Sequence, residues 1–178
     1  MSIVRKVGID GKEVLFKASA AIPRIYRLKF QRDIYKDLKA LEKSIGDKSE
    51  GSSNLDMFSL EMFENIAFVM AKHADASIPN TLEEWLDGFN TFTIYQVLPQ
   101  FIELWGLNVQ TDVEAKKLRP TDREMTTPLF LLRCVQLGLS MADLDLLSIG
   151  LINDMYAESR NDDCKYAQIT TQEDFDRF

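Results

Sequence analysis

Residues 2–17 read SIVRKVGIDGKEVLFK, and this stretch decides how the chain begins to fold. Apolar, mostly β-branched residues stand on both sides of Asp10-Gly11. An Asp-Gly pair between such runs is a strong hairpin signal, because both central positions of a type I′ turn need a positive φ. The sequence therefore predicts an N-terminal β-hairpin. Since a lone hairpin is only marginally stable in water, we expect it to pack on the helices that follow.

Beyond Ser19 the apolar residues change from alternation to a helical period. Ser19 is a candidate N-cap for a helix beginning near Ala20, and Pro23 stands in its first turn, where a missing N–H costs little. A Gly/Ser-rich loop is predicted at 46–54. Before that loop, apolar residues recur along one helix face at Ile34, Leu38, Leu41 and Ile45.

Two later helices carry their own start signals. Ser59 is a candidate N-cap. Thr81 followed three residues later by Glu84 has the spacing of a capping box, which predicts a short helix there. The helix after Ser59 is expected to have a wide apolar face, formed by Met62, Phe63, Ile66, Ala67 and Met70.

The second half of the chain is also predicted to be helical. A helix is expected to start at Thr93, to kink or break at Pro99 and to end at Gly106, with its apolar residues on one side. Ser140 and Ser148 are candidate starts for two further helical segments. In the helix predicted from Thr93, the residues expected on the apolar side are Ile94, Val97, Leu98, Phe101, Ile102 and Trp105.

The resulting fold class is mainly α (α+β). We expect an N-terminal β-hairpin packed on a helical domain, followed by a small helical C-terminal module. The predicted division is a first domain at 1–107, a charged linker at 108–126 that lacks apolar periodicity, and a module at 127–178 that ends in a polar tail.

Charge is distributed unevenly along the chain, whose net charge is −7. Residues 1–48 contain 12 Lys and Arg against 6 Asp and Glu, a net of +6, while residues 49–178 contain 9 against 22, a net of −13. Such blocks indicate either internal pairing or two surfaces for two partners. General nucleic-acid binding is disfavoured, because the acidic part repels phosphate.

Other features set expectations about the compartment. No run of about 18 apolar residues is present, so no transmembrane helix is expected. The N-terminal residues become polar too early for a signal peptide. We therefore expect a cytoplasmic protein in which Cys134 and Cys164 are free thiols.

The sequence offers little for catalysis. His73 is the single histidine, which excludes a His-rich metal site. Phosphate-binding glycine loops, zinc motifs and nucleophile motifs are absent from the sequence. We expect no catalytic residues, no metal site, no cofactor and no enzyme activity, and we place His73 at a helix C-terminus where it favours the helix dipole.

Aromatic residues are concentrated at 85–105. Core packing explains such a cluster, and an interface anchor is the alternative. Phe89, Phe92 and Trp105 are the candidate partner-binding residues. Basic residues at 24–32 alternate with aromatic ones, so a small helical regulator that binds nucleic acid or an acidic protein is an alternative function.

Several stretches resemble one protein family. Together they are similar to the tail assembly chaperones encoded by phages and prophages of Gram-positive bacteria with long non-contractile tails. The stretches are KASAAIPRIYRLKFQRDIYKDL (17–38), NIAFVMAKHADASIPNTLEEWLDGF (65–89), VLPQFIELWGLNVQTDVEAKK (97–117), and TTPLFLLRCVQLGLSMADLDLLSIGLINDMY (126–156) with TQEDFDRF (171–178).

The resemblance implies a function. Like the lambda G and G-T proteins, such a chaperone binds the tape measure protein, keeps it soluble, recruits tail tube subunits and is absent from the finished virion. The resemblance makes 1–107 a G-like part and 127–178 a T-like part. The implied partners are the tape measure protein and the major tail (tube) protein, with self-association as a further expectation.

Overall fold

A computed structural model describes residues 1–46, 57–90, 93–113 and 123–161. Most of the predicted 46–54 loop and the middle of the predicted linker lie outside these residues. So do Phe92, Cys164 and the polar tail from residue 162.

The protein is mainly helical with a two-stranded N-terminal sheet, as predicted from the sequence. Two short 3₁₀ helices, Thr93–Val97 and Asp143–Asp145, complete the described secondary structure. The strands and α-helices are β1 (Ile3–Ile9), β2 (Lys12–Ala18), α1 (Ile22–Phe30), α2 (Ile34–Gly46), α3 (Met57–Ala74), α4 (Leu82–Leu86), α5 (Leu98–Val109), α6 (Thr127–Gln136) and α7 (Ile149–Asn161).

The hairpin forms around the predicted turn. Ile9 pairs with Lys12, and the two residues between them have positive φ values, 52° at Asp10 and 74° at Gly11. This is the type I′ geometry that matches the twist of the strands. One face of the hairpin is buried against the helices and contains Val7, Ile9, Val14, Phe16 and Ala18.

Helix α1 begins later than predicted. The hydroxyl of Ser19 accepts a hydrogen bond from the Ala21 N–H at 3.2 Å, but the helix starts at Ile22. The Ala20 N–H instead donates to the Leu147 carbonyl at 2.8 Å. A contact with a segment far along the chain thus holds Ala20 outside the helix.

Two start signals have different outcomes. Thr81 caps α4 as predicted, since its side chain accepts from the Glu84 N–H at 3.3 Å. Ser59 does not cap α3, because that helix already begins at Met57. The predicted apolar face of α3 is confirmed: all five of its predicted residues are buried.

Pro99 breaks the helical pattern where expected. A 3₁₀ helix precedes it and α5 follows, with Pro99 in the first turn of α5. The predicted apolar side is wrong for Ile102, which is 55% exposed, because the buried stripe passes through Phe101 and Leu104. Gly106 does not end α5, which continues to Val109.

The two predicted starts at Ser140 and Ser148 have different outcomes. Ser140 and Asp143 bond each other reciprocally, but they initiate only a 3₁₀ turn and not an α-helix. Ser148 caps α7 by accepting from the Leu151 N–H at 3.2 Å.

The described part of the C-terminal segment shares a core with the N-terminal half. Ala20 and Ala21 lie in a second apolar cluster together with residues of α6, α7 and the 3₁₀ turn between them. Trp105 contacts both this cluster and the main one. The predicted division into two domains stays a prediction. The C-terminal members of the second cluster are Phe130, Cys134, Leu144, Ile149 and Ile152.

Hydrogen bonds also join the C-terminal segment to the rest of the chain. The buried Asn108 side chain donates to the Ser19 carbonyl and accepts from the Ile149 N–H, each at 3.4 Å. The Asp33 carboxylate accepts from the Thr127 N–H at 2.9 Å. Because buried polar groups that lose their partners are costly, these bonds fix how the two halves meet.

Helices α5 and α7 meet at Gly150. A Cβ added there would overlap the backbone of Gln110, so only glycine permits this close approach. Gly106, on α5, has open space around its own Cβ position.

We predict opposite effects for two glycine-to-alanine changes. Gly150→Ala should destabilise the protein by about 1–3 kcal/mol, because the backbone at Gln110 must shift. The control, Gly106→Ala, should stabilise it by about 0.5–1 kcal/mol, since glycine weakens the interior of a helix. Urea denaturation followed by circular dichroism measures both. Equal shifts for the two variants would contradict the close approach.

Candidate partner-binding site

A surface cavity of about 270 Å³ lies between α3, α4 and the 3₁₀ helix at Thr93–Val97. Phe89, one of the three predicted contact residues, lines it. The described residues around the cavity are Glu64, Leu86, Asp87, Phe89, Asn90, Ile94 and Tyr95.

Aromatic packing positions the Phe89 side of the cavity. The Phe89 ring meets Trp85 edge-on, with ring centroids 5.4 Å apart. Trp85 is buried and packs in turn on Phe68 of α3 at 5.6 Å. The cap at Thr81 fixes the start of α4 and therefore the direction from which Trp85 enters the core.

The hairpin turn holds the loop that forms the cavity wall. The Asp10 carboxylate accepts two hydrogen bonds from Asn90, one from its backbone N–H at 3.2 Å and one from its side chain at 2.8 Å. Lys12 donates to the Gly88 carbonyl at 2.6 Å, and its ammonium lies 5.6 Å from the centre of the Phe89 ring. The wall is thus tied to the sheet at several points.

Glu64 and Asp87 make the cavity acidic. The Tyr95 hydroxyl donates a hydrogen bond to Glu64. Burial, followed by this hydrogen bond, raises the pKa of Tyr95 to about 12. Tyr95 therefore stays protonated at neutral pH and holds the Glu64 carboxylate in place. No Lys, Arg or His is among the described residues that line the cavity.

The three predicted contact residues do not form one group in the described structure. Phe89 lines the cavity, and Phe92 lies outside the described residues. Trp105 is not among the described lining residues, since it packs between the two apolar clusters. Sequence reasoning missed Glu64 and Tyr95, because neither stands in a motif that marks it.

His73 lies in the last turn of α3, as expected. Its Nε2 is 3.1 Å from the Ser19 Oγ and 3.6 Å from an Asp145 oxygen. A Ser-His-Asp relay needs the serine on one ring nitrogen and the acid on the other, whereas here both approach the same nitrogen. This arrangement links three segments of the chain and does not match that relay.

Burial lowers the pKa of His73, and the nearby Lys17 lowers it further. The Asp145 carboxylate acts in the opposite direction, and Arg24 adds to the lowering. The ring is therefore neutral at pH 7. A neutral ring interacts more weakly with the helix dipole than a charged ring does.

Many basic residues of the N-terminal block are paired within the chain. Arg32 contacts Asp37 at 2.8 Å and Glu61 at 3.0 Å. Arg5 forms a two-pronged contact with Glu103 at 2.8 and 3.2 Å. Internal pairing with the acidic part of the chain is therefore shown for Arg5, Arg32 and Lys39 of the basic block.

Comparison with known proteins does not assign the chain to a family. No family model, no curated protein and no solved structure matches it. Within the described ranges, none of the helices is long and apolar enough to cross a membrane. In the same ranges, no group of three or more His, Cys, Asp and Glu side chains is arranged to hold a metal ion.

We predict that acid destabilises the protein through His73. Because the pKa of His73 is lower in the folded state, the unfolded chain binds more protons in the range just below the ordinary histidine pKa of about 6.5. The free energy of unfolding should therefore fall as the pH drops from 7.5 to 5.5. Urea titrations of the wild type and His73→Gln measure this, and identical slopes in the two proteins would contradict it.

Proposed function

We propose that this chain is a phage tail assembly chaperone that binds the tape measure protein and keeps it soluble before tube assembly. The observation that carries the proposal is the cavity at Phe89. Two of its apolar lining residues, Leu86 and Phe89, lie in the 65–89 stretch that resembles the chaperone family. A side chain of a partner helix can insert between these walls, beside the carboxylates of Glu64 and Asp87, as in helix-in-groove recognition.

The chemistry of the chain suits this role. A net charge of −7 helps to keep a complex with an aggregation-prone partner in solution. One small cavity provides only modest affinity for each copy. Each copy can then be displaced as the tube grows.

A second exposed apolar surface lies on α6. Leu132 and Val135 are 47% and 58% exposed, and their i, i+3 spacing places them side by side on the helix. Residues buried on the opposite side of α6 anchor it to the core. We assign this face, in the T-like part of the chain, to the tail tube subunit.

Co-expression tests the first contact. The wild-type chain should raise the soluble fraction of the tape measure protein from the same phage or prophage, measured by centrifugation and gel densitometry. Phe89→Ala should reduce this effect, because it removes one of the apolar walls of the cavity. Leu28→Ala is the matched control, since Leu28 is 64% exposed on α1 and does not line the cavity.

Two results would count against this assignment. One is a soluble fraction that the wild-type chain leaves unchanged. The other is a Phe89→Ala variant that is folded by circular dichroism and as active as Leu28→Ala.

The α6 face has a separate test. Leu132→Ser combined with Val135→Ser should weaken capture of purified tube subunits in a pull-down, while the tape measure protein remains soluble on co-expression. Both residues are exposed, so we expect a change in thermal stability of no more than a few degrees. Full retention of tube subunits by the double variant would contradict the assignment.

A further inference from the structure

We propose that the cavity beside Phe89 binds one basic side chain, lysine or arginine, of a partner polypeptide. The identity of that polypeptide as the tape measure protein rests on the proposed function. The recognition of a basic side chain rests on the cavity itself.

The size of the cavity favours a single side chain. About 270 Å³ is just below the range of roughly 300–1,000 Å³ that is usual for small-molecule sites. Leu86, Phe89 and Ile94 provide apolar walls. Lysine and arginine bury their methylene stems against such walls and keep the charged end at a polar site.

The charge of the cavity selects a cation. Glu64 and Asp87 contribute two carboxylates, and the described lining residues include no Lys, Arg or His. The Lys12 ammonium, behind the wall, donates to the Gly88 carbonyl. The Tyr95 hydroxyl orients Glu64 and leaves its other oxygen able to accept a hydrogen bond. A charge-assisted hydrogen bond to such a carboxylate is about twice as strong as a neutral one.

The wall is formed before any ligand arrives. Asp10 and Lys12 already hold the 87–90 loop through Asn90 and Gly88. Little ordering is therefore required on binding, which favours affinity.

Titration with amino-acid amides tests the chemistry directly. We would add Nα-acetyl-lysine amide, Nα-acetyl-arginine amide and the uncharged Nα-acetyl-norleucine amide to the ¹⁵N-labelled full chain and record amide spectra. We expect saturable shifts around residues 86–95 with the basic amides, with a Kd on the order of 1–10 mM. Stronger binding of either basic amide identifies the preferred residue.

Two double variants distinguish binding at the cavity from nonspecific attraction by the net negative charge of the protein. Glu64→Gln with Asp87→Asn should weaken binding of the basic amides at least about tenfold, a loss of about 1.4 kcal/mol. Glu83→Gln with Glu158→Gln changes the net charge equally at exposed positions outside the cavity and should leave binding unchanged. Equal binding of norleucine amide, no saturable shift, or equal loss in both double variants would each overturn the proposal.

Co-expression distinguishes the two proposals. If the wild type keeps the tape measure protein soluble and the Glu64→Gln, Asp87→Asn variant does so equally well, the cavity does not bind a basic side chain of that protein, and the chaperone function stands. If the wild type has no effect on that protein while the amide titration succeeds, the chaperone function fails and the cavity proposal stands.

Discussion

Helix α3 is buried on every side between Asn65 and Ala71, and the other elements are arranged to cover it. A helix that is apolar all round cannot face water, so it needs neighbours in all directions. The inner face of β2 lies across it, α1 packs along it, and α4 covers it through the contact of Trp85 with Phe68. The position of the cavity follows from this requirement, because Glu64 lies one residue before the fully buried stretch and only half-buried.

The covering elements also explain why the cavity has a defined shape. The hairpin that protects α3 extends far enough for its turn to reach the 87–90 loop. Asp10 and Lys12 then fix that loop through Asn90 and Gly88. The Asp10-Gly11 turn, which was predicted from two adjacent residues, thus contributes to a site formed by segments far apart in the sequence.

Local signals in the sequence predicted most of the elements, and contacts between distant segments explain the errors. Asp10-Gly11, Thr81 and Pro99 act within a few residues, so each prediction based on them is confirmed. Ala20 remains outside α1 because it bonds to Leu147, and the sequence gives no sign of that partner. At the site, Phe89 was predicted as an aromatic anchor, whereas Tyr95 and Glu64 are 31 residues apart and no spacing rule connects them.

The second apolar cluster bears on what each half of the chain can do alone. Residues 127–161 cover Ala20, Ala21 and the outer side of Trp105, and Asn108 bonds to both halves. A chain that ended in the predicted linker would expose this apolar face and leave Asn108 without its partner at Ile149. Exposed apolar faces of this kind favour association, so a shorter form would be driven towards self-association or towards another covering partner. The C-terminal segment therefore does more than extend the N-terminal half, because it buries apolar residues of that half and completes the hydrogen bonds of Asn108.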